Sequence, residues 1–407
     1  MHVVIVNDFA HVEGGASHVA LLGAIGLASR GHDVTLLAAV GPIMPELRAS
    51  RVRVVCAAQH QIAQDPKRLR AMVQGWWNLR ARRLMESILA DRDPRTTIVH
   101  LHGWTKALSS SVVGPVLRRQ FPLVCTLNDY FTACPNGGFF VYPKGHVCRL
   151  TPMTSACILT QCDKRGYGHK LWRVARQGVQ RRWGMIPKGI RHFVVVSEFS
   201  RRILAPYLPH DAVWHDVPNV IDVPRATPIA VERNATYAMV GRLSREKGAA
   251  LLAQAAEQSG HPLVFIGDGE CRDEVNRVNP RAVVTGWGPT SEVLERLRQA
   301  RALVFPSLWY EAQPLAVREA AALGIPAIVS DGCAARDEVA DGVTGLWFRS
   351  GDVNDLAAKM SVLNDDETVR RLGRAAYERY WAHPATMDDH VSRLEAVYRQ
   401  ILEKRIS

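Results

Sequence analysis

Two glutamates, Glu311 and Glu319, are separated by seven residues and have the chemistry needed to hold hydroxyl groups. A carboxylate accepts two hydroxyl hydrogen bonds at once. A helix is predicted to begin at Pro314, and its first N–H groups lack partners within the helix, so they offer an anion such as phosphate a binding site. Glu311 would repel that phosphate. We therefore expect Glu311 to face a neutral, hydroxyl-rich group such as a sugar, and Glu319 to face a ribose.

The elements around these glutamates form a strand-loop-helix-strand unit. Residues 302–305 form an apolar run typical of a buried strand, Gly324 is placed to end the helix, and residues 326–330 start another strand. The alternative interpretation is that two glutamates this far apart are ordinary surface charges.

A second pair of side chains, Arg242 and Lys247, follows a predicted strand at 237–240. A guanidinium binds two phosphate oxygens at once and an ammonium adds a point charge, so the pair would neutralise a diphosphate. The alternative is a simple surface ion pair between Glu246 and Lys247.

Both stretches resemble the family 4 retaining glycosyltransferases, which have the GT-B architecture. The resemblance rests on the spacing Glu-x7-Glu, on the Ala-rich helix and Gly-x-Pro that follow, and on Gly-Arg-Leu-Ser-Arg-Glu-Lys-Gly at 241–248. It implies an α/β fold with two Rossmann-like, doubly wound domains facing a central cleft. It also implies that the first domain binds an acceptor and the second a nucleotide sugar donor.

The resemblance assigns donor-binding roles to individual residues. Arg242 and Lys247 would bind the donor diphosphate, and the two glutamates the sugar and the ribose. Further donor contacts are expected from three places. The loop after the first strand contains Gly14 and Gly15, and a later strand end, expected near the base, contains Gly286 and Trp287. The loop that opens the helix contains Gln313, Pro314 and Leu315. Two glycines alone would equally mark a tight turn.

Candidate acceptor contacts follow two predicted strands of the first half. His100 and His102 alternate at the end of one strand and therefore share a face, at the sheet edge where open α/β sheets bind ligands. His102 is the candidate for an acceptor contact. His100 could equally be a buried histidine whose ring nitrogens form hydrogen bonds within the protein. Asn128 and Asp129 follow the next strand. Many family members carry a histidine where this chain has Asn128. If the family chemistry holds without that histidine, either Asp129 orients the acceptor or the leaving phosphate of the donor takes the proton of the acceptor. The alternative role of Asp129 is to cap a turn.

Strand and helix patterns alternate along the chain, which implies doubly wound parallel sheets. A chain of 407 residues suits two domains. We expect an acceptor-binding domain over 1–222 and a donor-binding domain over 223–379. The resemblance implies that a terminal helix within 380–407 returns to the first domain.

Four cysteines lie in a segment without regular periodicity: Cys134, Cys148, Cys157 and Cys162. In a reducing cytoplasm such a cluster favours metal over disulfides. We expect a tetrahedral structural zinc that staples a loop without a core of its own, although the spacing is not that of a standard zinc ribbon. The insertion, 134–162, resembles one found in a subset of bacterial polysaccharide glycosyltransferases and lies beside the expected acceptor site.

The net charge of +12 is concentrated in the first half of the chain. Residues 1–215 contain 28 basic and 12 acidic side chains, and residues 216–407 contain 23 and 27. Basic residues and tryptophans gather in 67–83 and 164–191, a combination that suits an anionic membrane surface. The alternative interpretation is that these segments are helices whose basic face is solvated and whose tryptophans lie in the hydrophobic core. Nucleic acid is not favoured, because no recognition motif accompanies these patches.

The chain has no run of about 18 apolar residues, and residues 2–8 read as a first strand, not as a signal peptide. We expect a cytoplasmic protein that attaches peripherally to the inner face of the plasma membrane.

The functional hypothesis is a retaining, metal-independent glycosyltransferase with no catalytic cofactor. It would move a hexose from a UDP- or GDP-sugar to a polysaccharide or lipid-linked saccharide acceptor, in exopolysaccharide or cell-surface glycan synthesis. Arg242 and Lys247 would stabilise the departing diphosphate, where charge develops in the transition state. Two alternatives stay open: a GT-B-like sugar-nucleotide epimerase, and a non-catalytic nucleotide-sugar-binding protein.

Overall fold

A computed structural model describes residues 1–405 of the chain. Its strands, in chain order, are β1 (His2–Phe9), β2 (Asp33–Val40), β3 (Arg53–Cys56), β4 (Thr97–Leu101), β5 (Leu123–Thr126), β6 (Phe140–Val141), β7 (His146–Val147), β8 (His192–Val195), β9 (Val213–Asp216), β10 (Thr236–Val240), β11 (Leu263–Ile266), β12 (Val283–Val284), β13 (Ala300–Phe305), β14 (Ala327–Ser330) and β15 (Gly345–Phe348).

The α-helices alternate with these strands. They are α1 (Gly15–Ser29), α2 (Pro45–Ala49), α3 (Arg68–Trp76), α4 (Leu79–Ile88), α5 (Val113–Arg118), α6 (Ser155–Leu159), α7 (Tyr167–Arg182), α8 (Glu198–Leu204), α9 (Ala249–Ser259), α10 (Arg272–Val278), α11 (Thr290–Leu297), α12 (Leu315–Leu323), α13 (Ala335–Glu338), α14 (Val353–Val362), α15 (Asp366–Ala382) and α16 (Met387–Glu403).

The first of two units comprises Met1–Gly137, Leu150–Val220 and the chain from Ala385 onward. Its seven strands are all parallel, in the order β3-β2-β1-β4-β5-β8-β9. Strands β1 and β4 are buried along their whole length, as expected when both faces of a parallel sheet are covered. The strand order reverses between β1 and β4, so the loops after these two strands diverge at the switch point where such sheets bind ligands.

The terminal helix α16 packs against α1 within this first unit. Gly26 allows the close approach, because a Cβ at this position would lie 2.5 Å from Val391 Cγ2. Polar contacts fix one end of the same interface: Arg30 Nη1 lies 3.2 Å from Glu395 Oε2, and His32 Nε2 lies 2.7 Å from Glu395 Oε1. The last helix is therefore part of the first unit's core.

The second unit comprises Gly138–Arg149 and Ile221–Pro384. Its main sheet has six parallel strands in the order β12-β11-β10-β13-β14-β15. Here the order reverses between β10 and β13, which brings the loop after β10 beside the loop after β13. Together, the two parallel sheets confirm the expected α/β fold with two doubly wound, Rossmann-like sheets.

The cysteine-containing segment is more regular than its sequence predicts. It contains the antiparallel hairpin of β6 and β7 and the short helix α6. The hairpin groups with the second unit, whereas the chain before Gly138 and after Arg149 groups with the first.

Helix α7 stabilises the neighbouring loop through a polar face that is largely buried. Gln180 Nε2 donates to Phe131 O at 2.9 Å, and Arg176 Nη1 donates to Thr105 O at 2.9 Å. Gln177 Nε2 lies 3.3–3.4 Å from the carbonyl oxygens of 131, 132 and 133. Buried carbonyl groups need such partners. These hydrogen bonds hold residues 105 and 131–133 against α7.

No helix among residues 1–405 combines the length and the apolar character needed to cross a bilayer.

Candidate active site

The switch point of the second unit holds a buried ion pair between Lys247 and Glu311. Lys247 Nζ lies 2.6 Å from Glu311 Oε1, and Ser307 Oγ donates to the same oxygen at 2.7 Å. The ammonium also lies over two aromatic rings, with Nζ 5.6 Å from the ring centroid of Phe305 and 5.7 Å from that of Trp309. A buried carboxylate needs a partner of opposite charge. Each member of the pair therefore fixes the position of the other.

Backbone geometry brings the two partners together. Lys247 ends a short 3₁₀ turn after β10, and the next residue, Gly248, has a φ of +72°. A Cβ on Gly248 would lie 2.1 Å from Pro306 O, so glycine is required where the two loops meet. The N–H of Leu308 donates to Glu246 O at 2.9 Å and ties the loops to each other.

The backbone of Glu311 is strained. Its φ is +50°, a left-handed conformation that residues other than glycine rarely adopt. Such a residue costs on the order of 1–3 kcal/mol and persists only where its surroundings hold it. Here the contacts of the carboxylate with Lys247 and Ser307 supply that restraint. Strain of this kind clusters at functional sites.

The hairpin segment of the second unit packs beside Glu311. A Cβ on Gly138 would lie 2.9 Å from the ring of Trp309, and the rings of Phe139 and Tyr310 have centroids 6.1 Å apart. Within residues 1–405, Trp309 Nε1 is buried without a hydrogen-bond partner. The loop thus carries an unsatisfied donor next to the ion pair.

Arg242 lies at the end of β10, on the solvent side of this site. Its Nη2 is 3.5 Å from Glu246 Oε1, and about half of its side chain is exposed. Glu246 thus pairs with Arg242, and Lys247 pairs with Glu311. The alternative of a surface pair between Glu246 and Lys247 is therefore wrong.

Helix α12 begins at Leu315, with Pro314 as its N-cap residue. The preceding Gln313 donates through Nε2 to Glu338 Oε1 at 3.1 Å. Glu319 follows one turn into the helix and is partly buried. Removal from water raises the pKa of the Glu319 carboxyl to about 7. A ligand that donates hydrogen bonds to this carboxylate would favour its ionised form.

Gly286 and Trp287 follow β12, the outermost strand on one side of the second sheet. Gly286 has a φ of +82°, and the Trp287 side chain is 68% exposed. In the first unit, Gly14 precedes α1 with a φ of +131° and open space around the site of a Cβ, and Gly15 is the first helical residue. The structure thus places both glycine-containing loops at strand ends, with room beside the backbone of Gly14.

His100 and His102 differ in their hydrogen bonding. Nδ1 of His100 lies 2.6 Å from the hydroxyl of Tyr398, and its Nε2 lies 2.6 Å from Thr126 Oγ1. His100 is therefore a satisfied buried histidine, one of the two interpretations left open by the sequence. His102 lies against it, with ring centroids 4.0 Å apart, and its buried Nδ1 has no partner within residues 1–405. Burial lowers the pKa of His102 to about 3, so the imidazole is neutral at pH 7.

Asp129 caps the turn that follows it, since the N–H of Phe131 donates to Asp129 Oδ1 at 2.9 Å. Burial raises the pKa of Asp129 to about 6. The neighbouring Asn128 has a buried Nδ2 without a partner among residues 1–405. The first unit's sheet edge therefore carries a carboxylate with a raised pKa and unsatisfied polar atoms.

The structure gives no support to the four-cysteine zinc hypothesis. Cys134, Cys157 and Cys162 lie in the first unit, whereas Cys148 lies in the hairpin that groups with the second. Within the described range 1–405, no three His, Cys, Asp or Glu side chains are arranged to hold a metal ion. A lysine ammonium, that of Lys170, occupies the space next to two of the sulfurs. A cation there disfavours a second cation beside these two sulfurs.

Sequence reasoning missed four residues at the two sheet edges. Ser307 and Trp309 contact the ion pair, and each lies only a few positions from Glu311. Asp8, at the end of β1, accepts the backbone N–H groups of residues 106–108 at 2.8–2.9 Å. Arg176 is buried, stacks over Phe131 at 4.9 Å and has an unpartnered Nη2 within residues 1–405. Ser307, Trp309 and Asp8 lie near strand ends, and this position could have identified them from the sequence. Arg176 has no comparable signal in the sequence.

Family models match both halves of the chain. Residues 13–225 match the model described as Glycosyltransferase Family 4, and residues 225–379 match Glycosyl transferases group 1. Glycogen synthase from Mycobacterium tuberculosis is 27% identical over 380 residues, which cover 87% of this chain and 83% of that protein.

Two further comparisons extend this similarity. UDP-Gal:alpha-D-GlcNAc-diphosphoundecaprenol alpha-1,3-galactosyltransferase from Escherichia coli is 26% identical over 188 residues, which cover 39% of this chain and 47% of that protein. The crystal structure of HepE from Anabaena in complex with UDP-glucose aligns with a TM-score of 0.66 at 14% identity, covering 98% of this chain and 100% of that one. At this identity the structural likeness shows the fold alone, and it agrees with the GT-B expectation.

The ion pair makes a testable prediction about stability. Lys247→Met removes the cation that pairs with the buried Glu311 carboxylate, so we expect it to lower the free energy of unfolding by about 3–5 kcal/mol. In the double variant Lys247→Met/Glu311→Gln no charge is left unpaired, so the loss should be smaller than the sum of the two single losses. Urea denaturation followed by circular dichroism measures all three variants.

Lys359→Met, on α14 of the same unit, serves as the control for loss of a lysine. It should change stability by less than about 0.5 kcal/mol. Strictly additive effects in the double variant would show that the two side chains do not interact.

Proposed function

The chain belongs to glycosyltransferase family 4, and from this premise we propose that it is a retaining hexosyltransferase that uses a nucleotide diphosphate sugar. The donor is a UDP- or GDP-sugar, and the acceptor is a polysaccharide or a lipid-linked saccharide. Transfer needs no metal ion and no other cofactor. The product belongs to exopolysaccharide or cell-surface glycan synthesis.

The observation that carries this proposal is the buried pair of Lys247 and Glu311 at the second unit's switch point. A donor bound there presents its diphosphate to the ammonium and its sugar hydroxyls to the carboxylate. Neither group is desolvated alone before the donor binds, because each is paired with the other. This arrangement suits a ligand that is anionic at one end and rich in hydroxyls at the other.

The chemistry follows from where charge develops. As the bond between the sugar and the diphosphate breaks, negative charge grows on the leaving phosphate. Lys247, the half-exposed Arg242 and the first N–H groups of α12 stabilise that charge without a metal. Gln313, Pro314 and Leu315 form the loop that opens this helix onto the donor.

The nucleoside is held further along the same sheet edge. Glu319 accepts hydrogen bonds from the ribose hydroxyls, and the backbone near Gly286 and Trp287 meets the base. Gly14 and Gly15 are further candidates for donor contacts, and no atom lies within 4 Å of a Cβ built on Gly14. The HepE structure, solved with UDP-glucose, supports this class of donor.

The acceptor is assigned to the first unit's sheet edge. His102, Asn128 and Arg176 have buried polar atoms without partners among residues 1–405, and an acceptor rich in hydroxyls satisfies them. Asn128 has no basic group, so it cannot take the acceptor proton. Asp129, whose pKa is raised to about 6, orients the acceptor while the leaving phosphate accepts the proton.

A lipid-linked acceptor is supported by the Escherichia coli relative, whose name specifies a diphosphoundecaprenol-linked sugar. Such an acceptor requires the protein to work at a membrane surface. We therefore include peripheral attachment to the inner face of the plasma membrane in the proposal, for a protein that is otherwise cytoplasmic.

Helix α3 in the first unit provides the surface for this attachment. Ala71 and Gly75 face inward, and a Cβ on Gly75 would lie 2.5 Å from the ring of Trp172 on α7. The opposite stripe exposes Leu69 by 80%, Val73 by 59% and Met72 by 41%. An aliphatic stripe that faces solvent beside basic residues of 67–70 matches an anionic lipid surface.

Two tryptophans of these basic segments, Trp76 and Trp172, join the two helices. Trp76 Nε1 donates to Trp172 O, and Trp172 Nε1 donates to Met72 O, both at 3.3 Å. These bonds tie α3 to α7. The aliphatic residues of α3, not these two tryptophans, are therefore assigned to the lipid.

Donor binding and transfer are tested together. A thermal-shift screen of the full chain against UDP, GDP and their sugars identifies the donor, and slow hydrolysis of that sugar nucleotide confirms a reactive site. Glu311→Gln should lower transfer at least about 100-fold, because a contact to the reacting sugar is lost. Its fold should be retained, as judged by circular dichroism.

Three results would contradict the proposal in different ways. Wild-type transfer by Glu311→Gln would remove Glu311 from the site. Conversion of the donor to a second sugar nucleotide would indicate an epimerase, and the absence of any shift would indicate a protein that does not bind these donors.

Membrane attachment is tested by co-sedimentation with vesicles. Wild-type protein should bind vesicles rich in phosphatidylglycerol and not those of phosphatidylcholine alone. Leu69→Ser/Val73→Ser should weaken binding at least about tenfold, since two aliphatic side chains no longer enter the lipid. Val343→Ser, at an exposed valine of the second unit, is the matched control and should bind as wild type does. Equal binding of both variants would show that α3 is not the lipid contact.

A further inference from the structure

The second unit contains a cavity of about 210 Å³ that includes none of the residues assigned to the donor or the acceptor. Helix α12 lines one side of it through Val317 and Ala321, and helix α15 lines another side through Arg379 and Tyr380. All of its lining residues lie within Ile221–Pro384. The cavity therefore belongs to the second unit alone.

The cavity and the residue assigned to the ribose lie on opposite faces of α12. Val317 and Ala321 are about one turn apart and share the face that lines the cavity. Glu319 lies two residues from each of them, which places it roughly 160° around the helix axis. A molecule in the cavity thus occupies a different place from the donor proposed above.

The walls of the cavity are mainly apolar. Val317, Ile325, Ala327 and Val339 line it, and each is at most 4% exposed. An apolar group that covers these side chains is favoured because it removes apolar surface from water. The volume is below the roughly 300–1,000 Å³ of sites for drug-sized ligands, so it suits a single ring or a short chain.

The polar part of the cavity is cationic. Arg318, Arg379 and His383 line it, whereas Glu338 is the one carboxylate among the lining residues, all of which lie within 221–384. Glu338 is already paired, since Arg318 Nε lies 3.3 Å from its Oε2. Within residues 1–405 no carboxylate forms an ion pair with Arg379, which is otherwise exposed and so lies at the mouth of the cavity. This leaves a cation for a ligand to neutralise.

We propose that this cavity binds a small organic anion, with its ring or short chain against α12 and its carboxylate or phosphate group on Arg379 and Arg318. A guanidinium binds either group through two N–H donors at once. An uncharged ring would leave the charge of Arg379 unneutralised, and an inorganic anion would leave the apolar walls uncovered. Both parts of the ligand are therefore required.

Glu338 connects the cavity to the loop that opens α12. Gln313 Nε2 donates to Glu338 Oε1 at 3.1 Å, while Oε2 of the same carboxylate faces Arg318. An anion bound to Arg318 competes with Glu338, so it loosens the contact that restrains Gln313. This step rests on the proposed function, which assigns Gln313 to the donor. The anion and a nucleoside diphosphate should therefore weaken each other's binding by the same factor.

Titration of the full chain with phenylacetate, in the absence of nucleotide, tests the site by ligand-observed NMR. The wild-type chain should bind this probe saturably, and phenethyl alcohol, its uncharged counterpart, at least about tenfold more weakly. Arg379→Met should weaken phenylacetate binding at least about tenfold, because the cation at the mouth is lost. Ala321→Trp should abolish binding, since the indole fills the cavity.

Arg374→Met is the matched control. Arg374 lies on α15 as Arg379 does, but it does not line the cavity and pairs with Glu378. This variant should bind phenylacetate within about twofold of the wild type. Circular dichroism checks that Ala321→Trp is folded, and Arg379→Met tests the site without any change in packing volume inside it.

The coupling is tested by isothermal titration calorimetry of the preferred nucleoside diphosphate with and without saturating phenylacetate. The nucleotide should bind at least about threefold more weakly to the wild-type chain when the probe is present. Ala321→Trp should show no difference between the two conditions.

Three results of the titration without nucleotide would overturn the site: no saturable binding of phenylacetate, equal binding of the uncharged alcohol, and wild-type binding by Arg379→Met. None of them depends on the proposed function. In a chain that binds both molecules, a nucleotide affinity that the probe leaves unchanged would overturn the coupling. A chain that binds phenylacetate but no nucleotide would instead contradict the proposed function.

Discussion

The buried ion pair between Lys247 and Glu311 is the interaction on which the second unit's site depends. It can exist because strand order reverses between β10 and β13, which places the two loops side by side. The close approach then requires glycine at 248, and the carboxylate is held on a strained backbone at Glu311. Removing either charge would take away an opposite charge from the other in a poorly solvated site. Under the proposed function, the same pair offers a donor a cation for its diphosphate and a carboxylate for its sugar.

The first unit contains a long loop whose buried backbone carbonyl groups need hydrogen-bond partners. The polar face of α7 supplies the missing partners: glutamine and arginine side chains bind loop carbonyls, and Lys170 binds two sulfurs. Burying so many polar groups is tolerable only when nearly all are satisfied. The exceptions are therefore informative, because the unpartnered atoms of His102, Asn128 and Arg176 lie in the part of the unit assigned to the acceptor.

Sequence patterns predicted the fold, since alternating strands and helices determine which loops lie at the ligand-binding edge. The family resemblance assigned Arg242, Lys247 and Glu311 to the donor site; the structure places two of them in contact, and their roles stay predictions. The sequence did not predict which ion pairs form. Glu246 and Lys247 are adjacent in the chain, but Glu246 pairs with Arg242 and Lys247 pairs with Glu311. The expected zinc finds no support among residues 1–405, and cysteine spacing carries no information on the lysine that enters from α7. The exposed aliphatic residues of α3 were missed for a similar reason. Composition shows the tryptophans and basic residues of this segment, but only the packing of the helix shows which apolar side chains face solvent.

The central claim is that a donor nucleotide lies along the second unit's sheet edge with its ribose on Glu319. Isothermal titration calorimetry of the preferred nucleoside diphosphate between pH 5.5 and 8.5 tests it most directly. The pKa of Glu319 is raised to about 7, and only the ionised carboxylate accepts both ribose hydroxyls. Affinity should therefore rise with pH through about 7 in the wild-type protein and lose that rise in Glu319→Gln, after correction for ionisation of the nucleotide phosphate. An identical pH profile in the two proteins would contradict the placement of the donor.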